Sequence, residues 1–146
     1  MKKFISFNIL IFCLMFNTNV FAKNSDSFNE GKNLFLHKKF DESKFFFEKD
    51  LVFNPKNSKS YLYLAKIYKK KENTEYEEYN LKNVLLLDPK NDEAIYMMII
   101  LKINQSNYNE ARKLIDSFNK VCNSFCSKKN EINEKFSKLI PENEKH

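Results

Sequence analysis

Phe53-Asn54-Pro55-Lys56-Asn57 recurs 34 residues later as Leu87-Asp88-Pro89-Lys90-Asn91, and this recurrence sets the frame for the whole chain. At the same offset Leu34 falls on Tyr68, Phe47 on Leu81 and Leu51 on Leu85. Phe40, Thr74 and Tyr108 align, as do Ser43, Glu77 and Ala111, then Asp50, Val84 and Phe118. A fixed period of this length marks a stacked repeat whose units share one supersecondary plan.

The plan within a unit follows from spacing. Tyr61, Leu64, Ala65 and Tyr68 stand at i, i+3, i+4 and i+7, one apolar stripe on a helix predicted from about Ser58 to Lys71. A second helix follows, with Thr74 as its cap, Val84, Leu85 and Leu87 at its apolar end, and Asp88-Pro89 as its stop, since a residue before proline disfavours helical geometry. Asp41 and Asn107 are the corresponding caps in the other copies. One such hairpin cannot cover its own stripe, so stability comes from stacking on neighbours.

These residues and this period resemble the tetratricopeptide family, whose unit is two antiparallel helices. Tyr61, Leu64, Ala65, Tyr68 and Pro89 match its pattern in the second copy. Gly31, Phe40, Ser43, Phe47 and Pro55 match it in the first, and Asn107 to Leu114 read as a turn and second helix in the third. The resemblance implies an all-α, right-handed solenoid of antiparallel helix pairs at about 24–57, 58–91 and 92–125. Glu30, Asp50, Glu77, Ile99 and Lys102 depart from the pattern. Asp50 and Glu77 occupy positions usually held by small residues, and a buried carboxylate needs water or a lysine there. The offset also carries Leu64 and Met98 onto Ile132, and Tyr68 and Lys102 onto Phe136. A closing helix is therefore expected at 128–140, with Ile132, Phe136 and Leu139 inward and Lys129, Glu131, Glu134 and Lys138 outward, before a flexible tail at 141–146.

The resemblance also implies that the first helices line a concave groove for an extended peptide or a partner's helix. Its residues are Phe28, Lys32 and Phe35, then Lys59, Leu62, Lys66 and Lys69, then Glu93, Tyr96, Ile100 and Ile103. Apolar anchors beside lysines suit an acidic and hydrophobic partner segment. From Ala94 to Ile103 only Lys102 is polar, so this helix is either buried on nearly all sides or presents Tyr96, Ile100 and Ile103 as a docking patch.

The 146 residues amount to one domain, 42% hydrophobic and 15% aromatic, enough to pack a core. A single glycine and three prolines leave little material for hairpins. The wealth of Asn, Lys, Ile and Phe fits an AT-rich coding sequence, so many surface Lys and Asn need carry no message. Lys2 and Lys3, the apolar run Phe4 to Phe16 and the site Val20-Phe21-Ala22 form the plan of a secretory signal peptide over 1–22, cleaved after Ala22. The run is short for a membrane span. Retention of this segment as an anchor is the alternative, and the one case in which the membrane is a partner. Cys13 is no lipoprotein site, because Phe12 stands where such sites have a small residue.

Loss of Lys2 and Lys3 lowers the formal charge from +6 to +4. Arg112 is the only arginine, and with export this argues against nucleic acid as a partner. Cys122 and Cys126 form a near pair that reads as a disulfide in an oxidising compartment; a redox pair or metal site lacks the usual spacing and a neighbouring histidine. His37 and His146 are the only histidines, the run Glu75, Glu77, Glu78 has no poised partner, and no phosphate-cradling glycine loop exists. No enzyme activity, cofactor or metal is expected. The expectation is an exported, periplasmic or secreted adaptor for another envelope protein. The alternatives are a membrane-anchored assembly factor and a binder of an anionic polymer through Lys32, Lys59, Lys66 and Lys69.

Overall fold

A computed structural model describes residues 27–139; the expected signal segment and the tail at 141–146 lie outside the described residues. The chain runs through α1 (Ser27–Leu36), α2 (Phe40–Phe53), α3 (Ser58–Lys70), α4 (Thr74–Leu87), α5 (Asp92–Asn104) and α6 (Tyr108–Val121). A 3₁₀ turn at Cys126–Lys128 leads into α7 (Lys129–Leu139), and the described residues contain no strand. Contacts are densest within the pairs α1 with α2, α3 with α4, and α5 with α6, and each pair stacks on the next.

The period is written into the backbone as well as the side chains. Each first helix ends on a residue in the left-handed region, Lys38 at φ 61°, Glu72 at 56° and Ser106 at 57°, spaced by one repeat. The next N–H reaches back five residues to close the helix: Lys39 to Leu34 O at 2.9 Å, Asn73 to Tyr68 O at 3.0 Å, Asn107 to Lys102 O at 2.9 Å. In the second and third pairs that closing residue also opens the next helix, because Asn73 caps α4 through Tyr76 N and Asn107 caps α6 through Glu110 N. Asn57 and Asn91 cap α3 and α5 in the same way. Asn107 is the expected cap. Thr74 is not, since Asn73 one residue earlier holds the geometry, and Asp41 pairs instead with Lys71 of the next hairpin.

Three apolar clusters follow one another along the stack. Phe47, Leu64 and Ile67 centre the first; Leu62, Ala65, Leu81, Val84, Ala94, Met97, Met98 and Leu101 the second; Ile95, Ile99, Ile103, Ala111, Ile115, Phe118 and Ile132 the third. Gly31 lets α1 approach α2: an added Cβ would sit 3.0 Å from the Phe47 ring, and Ser43 Oγ donates to Gly31 O at 2.8 Å across the same contact. Ala65, fully buried, fills the equivalent place in the second pair.

Buried polar residues have specific partners. Asp50 accepts from Asn54 Nδ2 (3.0 Å), Asn57 Nδ2 (2.7 Å) and Ser60 Oγ (2.5 Å), so two amides and a hydroxyl stand where water or a lysine was expected and tie the end of α2 to the start of α3. Glu77 does lie near Lys69, as expected, yet burial outweighs that charge and holds its carboxyl above the ordinary range. Lys102, 5% exposed, reaches Glu78 of α4 at 2.8 Å and Glu110 of α6 at 3.3 Å. Burial opposes its charge, but the two carboxylates hold the ammonium above its usual value.

At the closing end, Cys122 and Cys126 form a disulfide. Asp92, in the first turn of α5, accepts from Asn123 N at 2.7 Å and Phe125 N at 2.8 Å within that loop. Burial works to raise its carboxyl, but the N–H groups of Phe125, Asn123 and Ser124 together hold it low. Ile132 and Phe136 of α7 pack onto the third cluster. Two details differ from expectation: Leu139 is exposed and is not among the side chains packed on the third cluster, and Glu131 turns toward the stack to meet Tyr96.

Candidate partner-binding groove

The first helices lie in a row, each touching the next through a different chemistry. Between α1 and α3 the contact is aromatic: Tyr63 meets Phe28 at 5.9 Å and Phe35 at 5.1 Å edge-on, and stacks on Phe47 of α2 at 4.8 Å. Between α3 and α5 it is ionic, with Lys66 Nζ 2.7 Å from Glu93 and 5.0 Å above the Tyr63 ring. Between α5 and α7 the Tyr96 hydroxyl donates to Glu131 Oε1 at 2.8 Å, while Lys128 pairs with Glu131 and lies over the Tyr96 ring. Burial, aided by Glu93, raises the Tyr63 hydroxyl's pKa, and burial with Glu131 does the same for Tyr96.

This seam sorts the residues anticipated for the groove. Lys32, Lys59 and Lys69 are exposed, and Phe28 and Phe35 are half-buried. Leu62, Ile100 and Ile103 are not available as surface anchors: they are 8%, 7% and 4% exposed and belong to the core. Ile100 lines a cavity of about 230 Å³ together with Lys69, Glu72, Thr74, Glu77, Leu101, Asn104 and Gln105. The docking-patch alternative for α5 therefore gives way to burial, since every residue from Ala94 to Ile103 except Tyr96 is buried. Lys66 and Tyr96 sit in the row but are held by Glu93 and Glu131, so they shape it more than they offer free groups to a partner.

Tyr63 is the residue that sequence reasoning missed. It falls between the inward stripe Tyr61, Leu64, Ala65, Tyr68 and the outward set Lys59, Leu62, Lys66, Lys69, and its central place needs Phe28, Phe35 and Phe47 brought together. The available signal was the concentration of aromatics at 28, 35, 47 and 63, all within the first two copies.

No family model matches the sequence, and neither does any curated protein. Solved structures do match. The TPR2B domain of yeast Sti1, in a structure described as its complex with pHsp70, aligns with a TM-score of 0.73 at 15% identity over 81% of this chain and 98% of that one. The first TPR of Spaghetti (RPAP3), bound to the HSP90 peptide SRMEEVD, aligns at 0.70 and 17% over 80% and 93%. The type III secretion translocator chaperone SycD of Yersinia enterocolitica aligns at 0.66 and 11% over 86% and 96%. The chain thus has the tetratricopeptide-repeat fold, an all-α solenoid of three helix pairs closed by a single helix.

Proposed function

We propose that the chain is an exported adaptor that holds a partner protein in the cell envelope by binding an acidic, partly hydrophobic segment along its row of first helices. The observation that carries this reading is that Lys32, Lys59 and Lys69 are exposed on α1 and α3, the two helices whose aromatic seam holds the half-buried rings of Phe28 and Phe35. Lysines free to meet carboxylates and aromatic edges free to meet apolar side chains form the pairing that peptide-binding grooves use. The similar solved domains described with a bound peptide or an Hsp70 complex support a protein partner, and the signal-like amino terminus supports export. The role is binding without catalysis or cofactor.

The test is recovery of partners from envelope extract by the exported chain and by a Lys32→Glu/Lys59→Glu/Lys69→Glu variant. These exposed positions tolerate charge reversal without loss of fold, checked by far-UV circular dichroism. The variant is expected to lose the specific partner. Equal recovery by both chains would remove this face from the function.

A further inference from the structure

Three charged side chains are buried among the described residues, and one of them lacks a partner. Asp50 has its three donors and Lys102 its two carboxylates. The carboxylate of Glu77, which is 5% exposed, makes neither a hydrogen bond nor an ion pair among the described residues. A charge held at this depth without a counterpart is costly, and burial raises its pKa despite the nearby charge of Lys69. The carboxylate is not walled in. Glu77 lines the cavity of about 230 Å³ between the turn after α3 and the carboxyl end of α5, which is smaller than the roughly 300–1,000 Å³ of pockets that enclose whole small molecules. The space suits one side chain.

We propose that this cavity receives the guanidinium group of an arginine side chain from a partner protein, with Glu77 as its counter-ion. The rest of the polar lining is rich in acceptors. Gln105 spends its Nε2 on Glu78 at 3.1 Å, so its Oε1 is the atom left for a ligand, and Asn104, Thr74 and the exposed carboxylate of Glu72 supply further oxygens. The carboxyl ends of α3 and α5 both reach the cavity, and helix carboxyl ends favour a cation. Only the amino end of α4 opposes them, and its own Glu75 and Glu77 already answer it. Ile100 and Leu101 give an apolar wall for a methylene stem. Among cations, a flat group with five donors meets several acceptors at once and sheds water more readily than an ammonium. A metal ion is disfavoured, because the cavity offers two carboxylates, no histidine or cysteine, and the competing ammonium of Lys69. Lys69 is exposed and no ion pair holds it, so its head withdraws into water when the cavity fills. Arg112, the chain's one arginine, lies over the Phe136 ring, so the guanidinium comes from another protein. The site goes beyond the groove reading, since it takes the charge opposite to the one that Lys69 would attract.

The test is an NMR titration of the isotope-labelled exported chain with N-acetyl-arginine amide, its neutral isostere N-acetyl-citrulline amide, and N-acetyl-lysine amide. The arginine probe is expected to move the backbone signals of Glu72, Thr74, Glu77 and Gln105 saturably, and the other two probes to bind about tenfold more weakly or less. Glu77→Gln keeps the shape and removes a costly buried charge, so it stays folded. It is expected to weaken the arginine probe by about tenfold or more, the worth of a hydrogen bond between charged groups. Lys69→Met removes the competing cation and is expected to strengthen the same probe, whereas in the groove reading that change weakens an acidic partner. Failure of one reading is thus distinct from failure of the other. The proposal is overturned by the absence of saturable local shifts, by citrulline or lysine binding as tightly as arginine, or by an affinity unmoved in Glu77→Gln or weakened in Lys69→Met. Saturation of the same signals by calcium alone would also overturn it and make the cavity a metal site, and tighter binding of free arginine than of the capped probe would assign it to the free amino acid.

Discussion

Lys38, Glu72 and Ser106 hold a backbone conformation in which an L side chain crowds its own carbonyl, and none of them is glycine. Each closes a first helix, so three identical turns carry the same strain. Relief should be measurable: Ser106→Gly is expected to stabilise the fold by about 0.5–1 kcal/mol, the relief of the left-handed penalty less the extra freedom glycine gives the unfolded chain. Urea denaturation of the variant checks this, and a loss of stability would show that the turn is held by the Ser106 side chain instead. Sequence could not expose these positions, because His37-Lys38-Lys39, Lys71-Glu72-Asn73 and Gln105-Ser106-Asn107 share no residue type that announces a left-handed turn. Asparagine was legible only in part. Its abundance reads as compositional drift, yet Asn57, Asn73, Asn91 and Asn107 each cap a helix.

Among the elements, α5 depends most on what surrounds it. Its apolar sequence predicts either burial or a docking patch, and the choice rests on α7 and the loop before it, which cover Ile95, Ile99 and Ile103. That loop is held twice, by the disulfide and by the Asp92 carboxylate. Replacing both cysteines by serine is expected to lower stability by about 2 kcal/mol, the chain-entropy value for so short a loop. Asp92→Ala is expected to cost a further 1–3 kcal/mol or so, since it leaves backbone donors without their charged acceptor. Protease sensitivity after Lys128 and Lys129 should rise in both. A double-cysteine variant as stable and protease-resistant as the parent would mean that Ile132 and Phe136 alone fix the closing helix. Phe125 packing on Tyr96 lay beyond sequence reasoning, because the contact joins the first helix of the third pair to the loop that follows its second helix.

For the whole molecule, the period made the helix pairs and their order readable, and the departures from it were where reading failed. Lys102 was visible as an anomaly, but Glu78 and Glu110 reach it only once α4 and α6 are stacked on either side of α5. That cluster governs acid stability. Hydrogen bonds from Lys102, Lys82 and Gln105 lower the Glu78 carboxyl from 4.5 to about 2, so the interaction stabilises the fold fully above pH 4.5 and fades as the pH falls toward 2. Glu77 acts with the opposite sign, its raised pKa making protonation favourable to the folded state, so it offsets part of the loss. Chemical denaturation between pH 5 and 2 should show stability falling with acid, and Lys102→Met should flatten that fall; an unchanged slope would place the acid sensitivity elsewhere.

The joints between pairs also differ in kind: Asp50 with two asparagines and a serine at the first, Lys102 with two glutamates at the second, Tyr96 with Glu131 at the last. A chain of near-equivalent helix hairpins is exposed to slippage by one unit and to exchange of hairpins between molecules. Here a slip would bring Val84 to the place of Asp50 and Phe136 to the place of Lys102, stranding asparagines and carboxylates without counterparts. The irregularities that blur the repeat in the sequence thus act as a key at each joint, fixing one order of assembly.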